Sequence, residues 1–180
     1  IVPLRPQLFI GVGGTGGKTV GMIQYQLSEA LKRVGITQLP AGWQFLHIDV
    51  AAEVDVRESD LNYDLPRDSY VPLTNNQSTY NGLDKTISRS LELLGAQRHV
   101  VWDAWRPYPP ENVPVPIHLG AGQFRSMGRV AALAGLGTIH SSIAAMLDRM
   151  SAPSVPGELA EVQRALGASV STGIAERTVF

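Results

Sequence analysis

The stretch "LFIGVGGTGGKT", Leu8 to Thr19, limits what this chain can fold into more than any other. An apolar run ends in five glycines within seven residues, Gly11 to Gly17. The run reads as a strand. Glycine concentrated behind it permits positive φ in a sharp turn and lets a ligand reach contact distance of the backbone. Beyond it, Val20, Ile23, Leu27, Leu31 and Val34 follow the spacing of one helix face, predicting a helix from about Thr15 to Val34. Gly35 ends that helix. "WQFLHIDV", Trp43 to Val50, is a second strand. Together these make a βαβ unit, whose strands are expected to be parallel neighbours.

A helix that begins behind such a turn leaves its first amide N–H groups without partners and its positive dipole end exposed, so a phosphate is the default ligand. Three ligands compete for it. An ATP-type P-loop requires G-x-x-x-x-G-K-[ST]. "GKT" stands at Gly17, Lys18 and Thr19, but the required first glycine falls on Val12. That pattern fails by one residue, so Lys18 and Thr19 are not read as a P-loop lysine and a magnesium ligand. The dinucleotide pattern G-x-G-x-x-G fits through Gly11, Gly13 and Gly16, though alone it is a weak signal. Its acidic partner would be Asp49, which closes the second strand 33 residues after Gly16. Asp49 suits a ribose hydroxyl in any nucleotide site, and it suits a loop cap as well. A second glycine turn, "GAGQFRSMGR", carries Gly120 and Gly122 and then Arg125 and Arg129. It favours the third ligand, a nucleoside di- or triphosphate. One turn would take the inner phosphates, and the other, with a cation, the terminal one.

Elsewhere, residues 51–80 are polar and turn-rich and read as a long surface excursion. Leu83, Ile87, Leu91 and Leu94 mark a second helix closed by Gly95. "WDAWRPYPPENVPVP" holds five of the twelve prolines and is irregular, with its two tryptophans packing it onto the body. A short strand is expected from about Val115 to Leu119, then the second glycine turn, then an Ala- and Gly-rich helix from about Arg129 to Met150. Leu159, Val162 and Leu166 give a weaker last helix, and "AERTVF" begins a terminal strand. With Ile1 at its start and a strand at its end, the chain reads as a piece of a longer polypeptide.

Composition narrows the function classes. The 180 residues, 44% apolar and 17% charged with a net charge of −1, describe one ordinary soluble domain. Charge so balanced supplies no drive toward nucleic acid or an anionic membrane. No apolar run approaches the ~20 residues that span a bilayer. The absence of cysteine excludes disulfides, thiolate zinc sites and a cysteine nucleophile. The expected location is cytoplasmic. His47, His99, His118 and His140 lack ligand spacing such as H-E-x-x-H, so no metal site is expected on them, and His140 is read as a core residue. No G-x-S-x-G elbow is present.

The motifs also carry a resemblance. "IGVGGTGGKTV" is similar to the first nucleotide loop of the tubulin/FtsZ superfamily, "FLHIDV" to the strand that follows it, and "GAGQFRSMGR", with its later glycine at Gly128, to the G-A-G loop. In this order they most resemble the bacterial tubulin-like family of large proteins, from about residue 7 to 180. The resemblance implies an α/β, Rossmann-like three-layer domain with a parallel sheet, of the tubulin/FtsZ GTPase type, truncated before its last strands. It implies a single nucleotide-binding subdomain over residues 1–180. It further implies GTP or GDP with Mg2+, held by Gly11, Gly13, Gly14, Thr15, Gly16, Gly17 and Lys18 at the inner phosphates. Asp49 would stand at the ribose or the magnesium ion, and Gly120, Ala121, Gly122 and Gln123 at the terminal phosphate. Arg125 is added here as the compensating cation. The implied partners are the guanine nucleotide and further copies in self-association, with no nucleic acid and no membrane.

Two departures bear on activity. The superfamily signature G-G-G-T-G-S-G is absent, and the acidic loop that triggers hydrolysis lies further along than Phe180, so GTP hydrolysis is an expectation for a full-length protein and not for this chain by itself. Gly21 stands where the superfamily has a base-reading asparagine, which leaves guanine against adenine open. Two alternatives remain. A ThiF-like ATP-dependent adenylyltransferase shares the first glycine turn, and "ESDLNYDLPR", Glu58 to Arg67, echoes its S-N-L-N-R-Q stretch. Tyr63 and Asp64, however, occupy the arginine and glutamine positions, and its zinc-binding cysteines are impossible here. An NAD-binding Rossmann domain ranks third, without a catalytic constellation to support it.

Overall fold

Strand β1, Gln7–Val12, runs directly into helix α1, Gly13–Arg33. The computed structural model describes residues 3–54, 65–94, 102, 104–107, 109–113, 115–122, 124–167 and 178–179. Helix α1 starts two residues earlier than the apolar spacing predicts, because the glycines themselves form its first turn. Its end follows the expected pattern. Gly35 has φ +83°, its N–H donates to Lys32 O at 3.1 Å, and the Ile36 N–H donates to Leu31 O at 3.0 Å. These two bonds satisfy carbonyls that the helix itself leaves open.

Strand β2, Trp43–Asp49, is buried along most of its length, as a strand covered on both faces should be. With β3, Tyr70–Pro72, and β4, Thr178–Val179, the sheet order is β3-β2-β1-β4. Strand β4 runs parallel to β1, with Gln7 opposite Thr178 and Leu8 opposite Val179. The architecture is thus the α/β, Rossmann-like one that the βαβ reading required. The chain leaves β1 to build β2 on one side and returns later to add β4 on the other. The carboxyl end of β1 is therefore a topological switch point, where open α/β sheets hold their ligands. Strand β3 and the 3-10 turn before it, Arg67–Ser69, lie in the segment read as a plain surface excursion.

The chain forms two compact units. The first comprises Ile1–His47, Glu58–Tyr70 and Ser141–Phe180. Its core joins Val20 and Leu31 of α1, Trp43 and Phe45 of β2, and Val155, Leu159 and Val162 of helix α5, Val155–Ala165. Ile23, Leu27 and Val34, the remaining residues of the expected helix face, pack against the same cluster. Phe9 stacks on Phe45 with ring centres 5.1 Å apart. Helix α5 also secures the loop before β2, since Glu158 accepts from the Ala41 N–H at 2.6 Å. Gly42 is needed there: a Cβ would come within 2.8 Å of Val155 Cγ1.

The second unit comprises Ile48–Arg57 and Val71–His140. Its core is built by Tyr80 and Ile87 of helix α2, Tyr80–Leu94, with Met127, Val130 and Ala131 of helix α3, Arg125–Ala134, joined by Val50, Trp102 and Ile117. Gly95, expected to close α2, lies outside the described residues. The two tryptophans do pin the proline-rich segment. Trp102 and Trp105 meet edge to face at 4.9 Å, Arg106 lies over Trp102, and the Arg106 guanidinium is ion-paired with Asp84 in a nearly solvent-free position.

Three expectations need correction. Residues 115–119 form no strand; Ile117–Leu119 is a 3-10 turn. Prolines at 114 and 116 remove the alternate N–H donors that a ladder needs, and the segment closes on itself through the Leu119 N–H donating to Pro116 O at 2.9 Å. The expected helix from Arg129 to Met150 is two helices, α3 and α4, the latter Leu136–Met150, broken at Gly135. Leu73 wedges in at the break, and a Cβ on Gly135 would lie 2.9 Å from Leu73 Cδ2. His140 is exposed, not a core residue. No single described helix is long and apolar enough to cross a membrane.

Candidate functional site

The five clustered glycines have different physical reasons. A Cβ on Gly11 would collide with the Gly16 carbonyl and lie 2.9 Å from Gly17 N. In return, a Cβ on Gly16 would sit 3.0 Å from Gly11 C. The end of β1 and the first turn of α1 thus touch backbone to backbone, which no side chain would allow. Gly17 faces the ring of His47, and a Cβ there would overlap the imidazole. Gly13 has φ +70°, the left-handed region that turns the strand into the helix.

Gly14 is different. Its φ is ordinary, and among the described residues nothing stands within 4 Å of where its Cβ would be. Neither packing nor backbone conformation requires glycine at this position. What remains is bare backbone facing open space.

The start of α1 is also uncapped. Val12 occupies the N-cap position, 72% exposed, with no side-chain hydrogen bond to the first turn, and no acidic residue lies in that turn. Ser, Thr, Asp or Asn would ordinarily take an amide there; Val12 cannot, so the positive helix end has no side-chain cap from its N-cap residue. Thr15 and Lys18 are exposed on the same turn. Thr19 Oγ1 donates to Thr15 O at 3.0 Å, a bond back into the helix.

The second group of expected residues belongs to the second unit. Asp49 Oδ1 accepts from the Val50 N–H at 2.7 Å, the loop-capping role that the sequence left open. A carboxylate retains further acceptor capacity beyond that bond. Gly120 and Gly122 have φ +120° and +56°, so the second turn needs both glycines for its conformation. Ala121 packs against the core of this unit, and Arg125 is exposed at the first position of α3. Helix α3 likewise lacks a capping side chain and has no acid in its first turn. Gln123 lies outside the described residues. Arg129, the other cation of that turn, lies with its guanidinium carbon 4.7 Å from the centre of the Trp105 ring. The Ala52 N–H donates to His118 O at 2.9 Å, tying the segment behind Asp49 to the segment leading into Gly120. The segments that follow Asp49 and precede Gly120 therefore meet within the second unit, while Gly11 to Lys18 are continuous in the first. Among the described residues, no group of three or more His, Asp or Glu side chains is placed to hold a metal ion.

His47 lacks metal-ligand spacing, and its sequence context alone assigns it no role. In the structure its Nε2 lies 3.1 Å from Gly13 O, its ring fills the space that Gly17 leaves, and Tyr70 packs edge-on against it with ring centres 5.0 Å apart. A signal was present in the sequence, a histidine inside the buried strand that a βαβ unit sets beside its glycine turn.

Comparison with known proteins follows the same lines. A family model described as tubulin-like matches residues 8–178. No curated protein and no solved structure matches the chain.

Proposed function

This chain belongs to the tubulin-like family, and from that premise we propose that it binds a guanine nucleotide, GTP or GDP, and serves self-association of the protein that carries it. The observation that carries the reading is the uncapped first turn of α1 with Gly14 bare toward open space, at the switch point of the sheet. Amide N–H groups so placed donate to phosphate oxygens, and the helix dipole adds favourable potential. Gly11, Gly13, Gly14, Thr15, Gly16, Gly17 and Lys18 would hold the inner phosphates. Asp49 would take the ribose or a magnesium ion that arrives on the phosphate oxygens, and Gly120, Ala121, Gly122, Gln123 and Arg125 would face the terminal phosphate. Mg2+ binds in this manner through one or two carboxylates and substrate phosphates, so a dedicated protein cage is not required.

Calorimetric titration of Mg·GTP, Mg·GDP and Mg·ATP into the protein tests this. Saturable binding with guanine preferred is the expected result, and no binding of any of the three overturns the site assignment while leaving the fold intact. ATP–pyrophosphate exchange with a carboxyl substrate would instead establish the adenylyltransferase alternative.

A further inference from the structure

We propose that His47 is a positioning residue for the phosphate-binding turn, holding the Gly13–Gly14 peptide so that the Gly14 N–H faces the incoming phosphate. The inference rests on the nucleotide reading above and assigns a part of that site which the glycines alone do not supply.

The geometry comes from three contacts within the first unit. His47 Nε2 lies 3.1 Å from Gly13 O. A carbonyl oxygen only accepts, so this contact requires the proton on Nε2. In a trans peptide the C=O and the N–H point in opposite directions. Holding the Gly13 carbonyl toward His47 therefore directs the Gly14 N–H the other way; Gly14 is exposed, and no described residue stands within 4 Å of where its Cβ would be. That amide is at a helix position without an intrahelical acceptor.

Glycine at position 13 gives such a grip a purpose beyond the helical bond that its carbonyl accepts. With φ +70° and no side chain, this residue has access to several backbone wells, and a change of well would swing the Gly14 N–H off its target. Gly17 admits the ring, since any Cβ there would occupy the imidazole's place. Tyr70 packs against the ring edge and restricts its rotation. The turn is thus ordered before ligand arrives, and affinity is not spent on ordering it.

The test combines the side-chain tautomer with nucleotide affinity. Long-range 1H–15N correlation spectra of the His47 ring are expected to show Nε2 carrying a proton. In calorimetry with Mg·GTP, His47→Phe keeps a ring against Gly17 but removes the donor, and is expected to bind about five- to tenfold more weakly than wild type, the effect of one lost hydrogen bond. His47→Gln loses the ring contacts but reaches Gly13 O with its amide. It is expected to melt at a lower temperature yet keep affinity within about threefold of wild type. A merely structural histidine would not show that split. A bare Nε2, or wild-type affinity in His47→Phe, overturns the inference while the nucleotide reading stands. Failure of the wild type to bind any nucleotide removes both. Should His47→Phe fail to fold, the tautomer and the His47→Gln affinity decide, and a His47→Gln protein that folds but binds more than tenfold more weakly overturns the positioning role.

Discussion

Two alanine substitutions three residues apart should have opposite consequences. Gly14→Ala places a methyl on backbone of ordinary φ where no described residue stands within 4 Å, so no described contact opposes it. Alanine in a helix is favoured over glycine by roughly 0.5–1 kcal/mol. For a chain of this size 1 kcal/mol corresponds to about 2–4 °C in Tm, so the ligand-free variant should melt at or slightly above the wild-type temperature. Gly17→Ala places the same methyl on the His47 ring. Overpacking of that kind costs about 1–3 kcal/mol, which exceeds the helix gain, and the melting temperature should fall by several degrees. Binding separates them in the other direction. The methyl at position 14 occupies space where a phosphate oxygen would approach the amide, and the loss of one hydrogen bond to a charged group, roughly 1.5–3 kcal/mol, lowers Mg·GTP affinity at least about tenfold. Differential scanning calorimetry without ligand and isothermal titration with Mg·GTP measure both quantities on the same samples. A Gly14→Ala protein that is stable and binds with wild-type affinity would falsify the reasoning that open space above Gly14 belongs to a ligand.

Arg125→Ala should weaken binding of Mg·GTP several-fold and of Mg·GDP less, because the proposed contact is with the terminal phosphate; equal losses in titrations of the two nucleotides would remove Arg125 from the site. Arg106→Ala strips the partner from a buried Asp84 and should destabilise the protein by about 3–5 kcal/mol in urea unfolding, whereas a loss below 1 kcal/mol would mean that the pair is solvated. The Tyr80 phenol donates to Pro107 O at 3.1 Å, and burial, with the Asp84 charge added, pushes its pKa up to about 12 from 10.0. Above pH 10 the unfolded chain has released the phenolic proton while the folded chain keeps it, so stability is lost as pH rises from 10 to 12. Tyr80→Phe should flatten that part of the stability–pH curve, and an unchanged slope would contradict the shift.

Much of the fold was legible because it rests on short-range periodicity. Val20, Ile23, Leu27, Leu31 and Val34 recur at helix spacing and do converge on one core. Gly35 ends α1 through the pair of capping bonds that its left-handed φ allows. The break at Gly135 was half legible, since Gly135 and Gly137 weaken the helix locally, but the contact of Leu73 with the break comes from sixty-two residues earlier in the chain. The absence of a strand at 115–119 is legible in Pro114 and Pro116, whose lack of N–H donors outweighs the apolar pattern.

By itself the sequence determined that a glycine-rich turn joins a strand to an amphipathic helix, and hence that unpartnered amides would gather at one helix start. Strand, turn and helix are local outcomes, decided by φ preference, hydrogen bonds over four residues and apolar spacing. Only the tertiary structure decided which glycine serves which purpose. Gly11 and Gly16 meet each other, Gly17 makes room for His47 from the next strand, and Gly14 meets none of the described residues. The reason is that identical glycines differ only in what lies beyond their Cα, and that is set by distant segments brought alongside by folding.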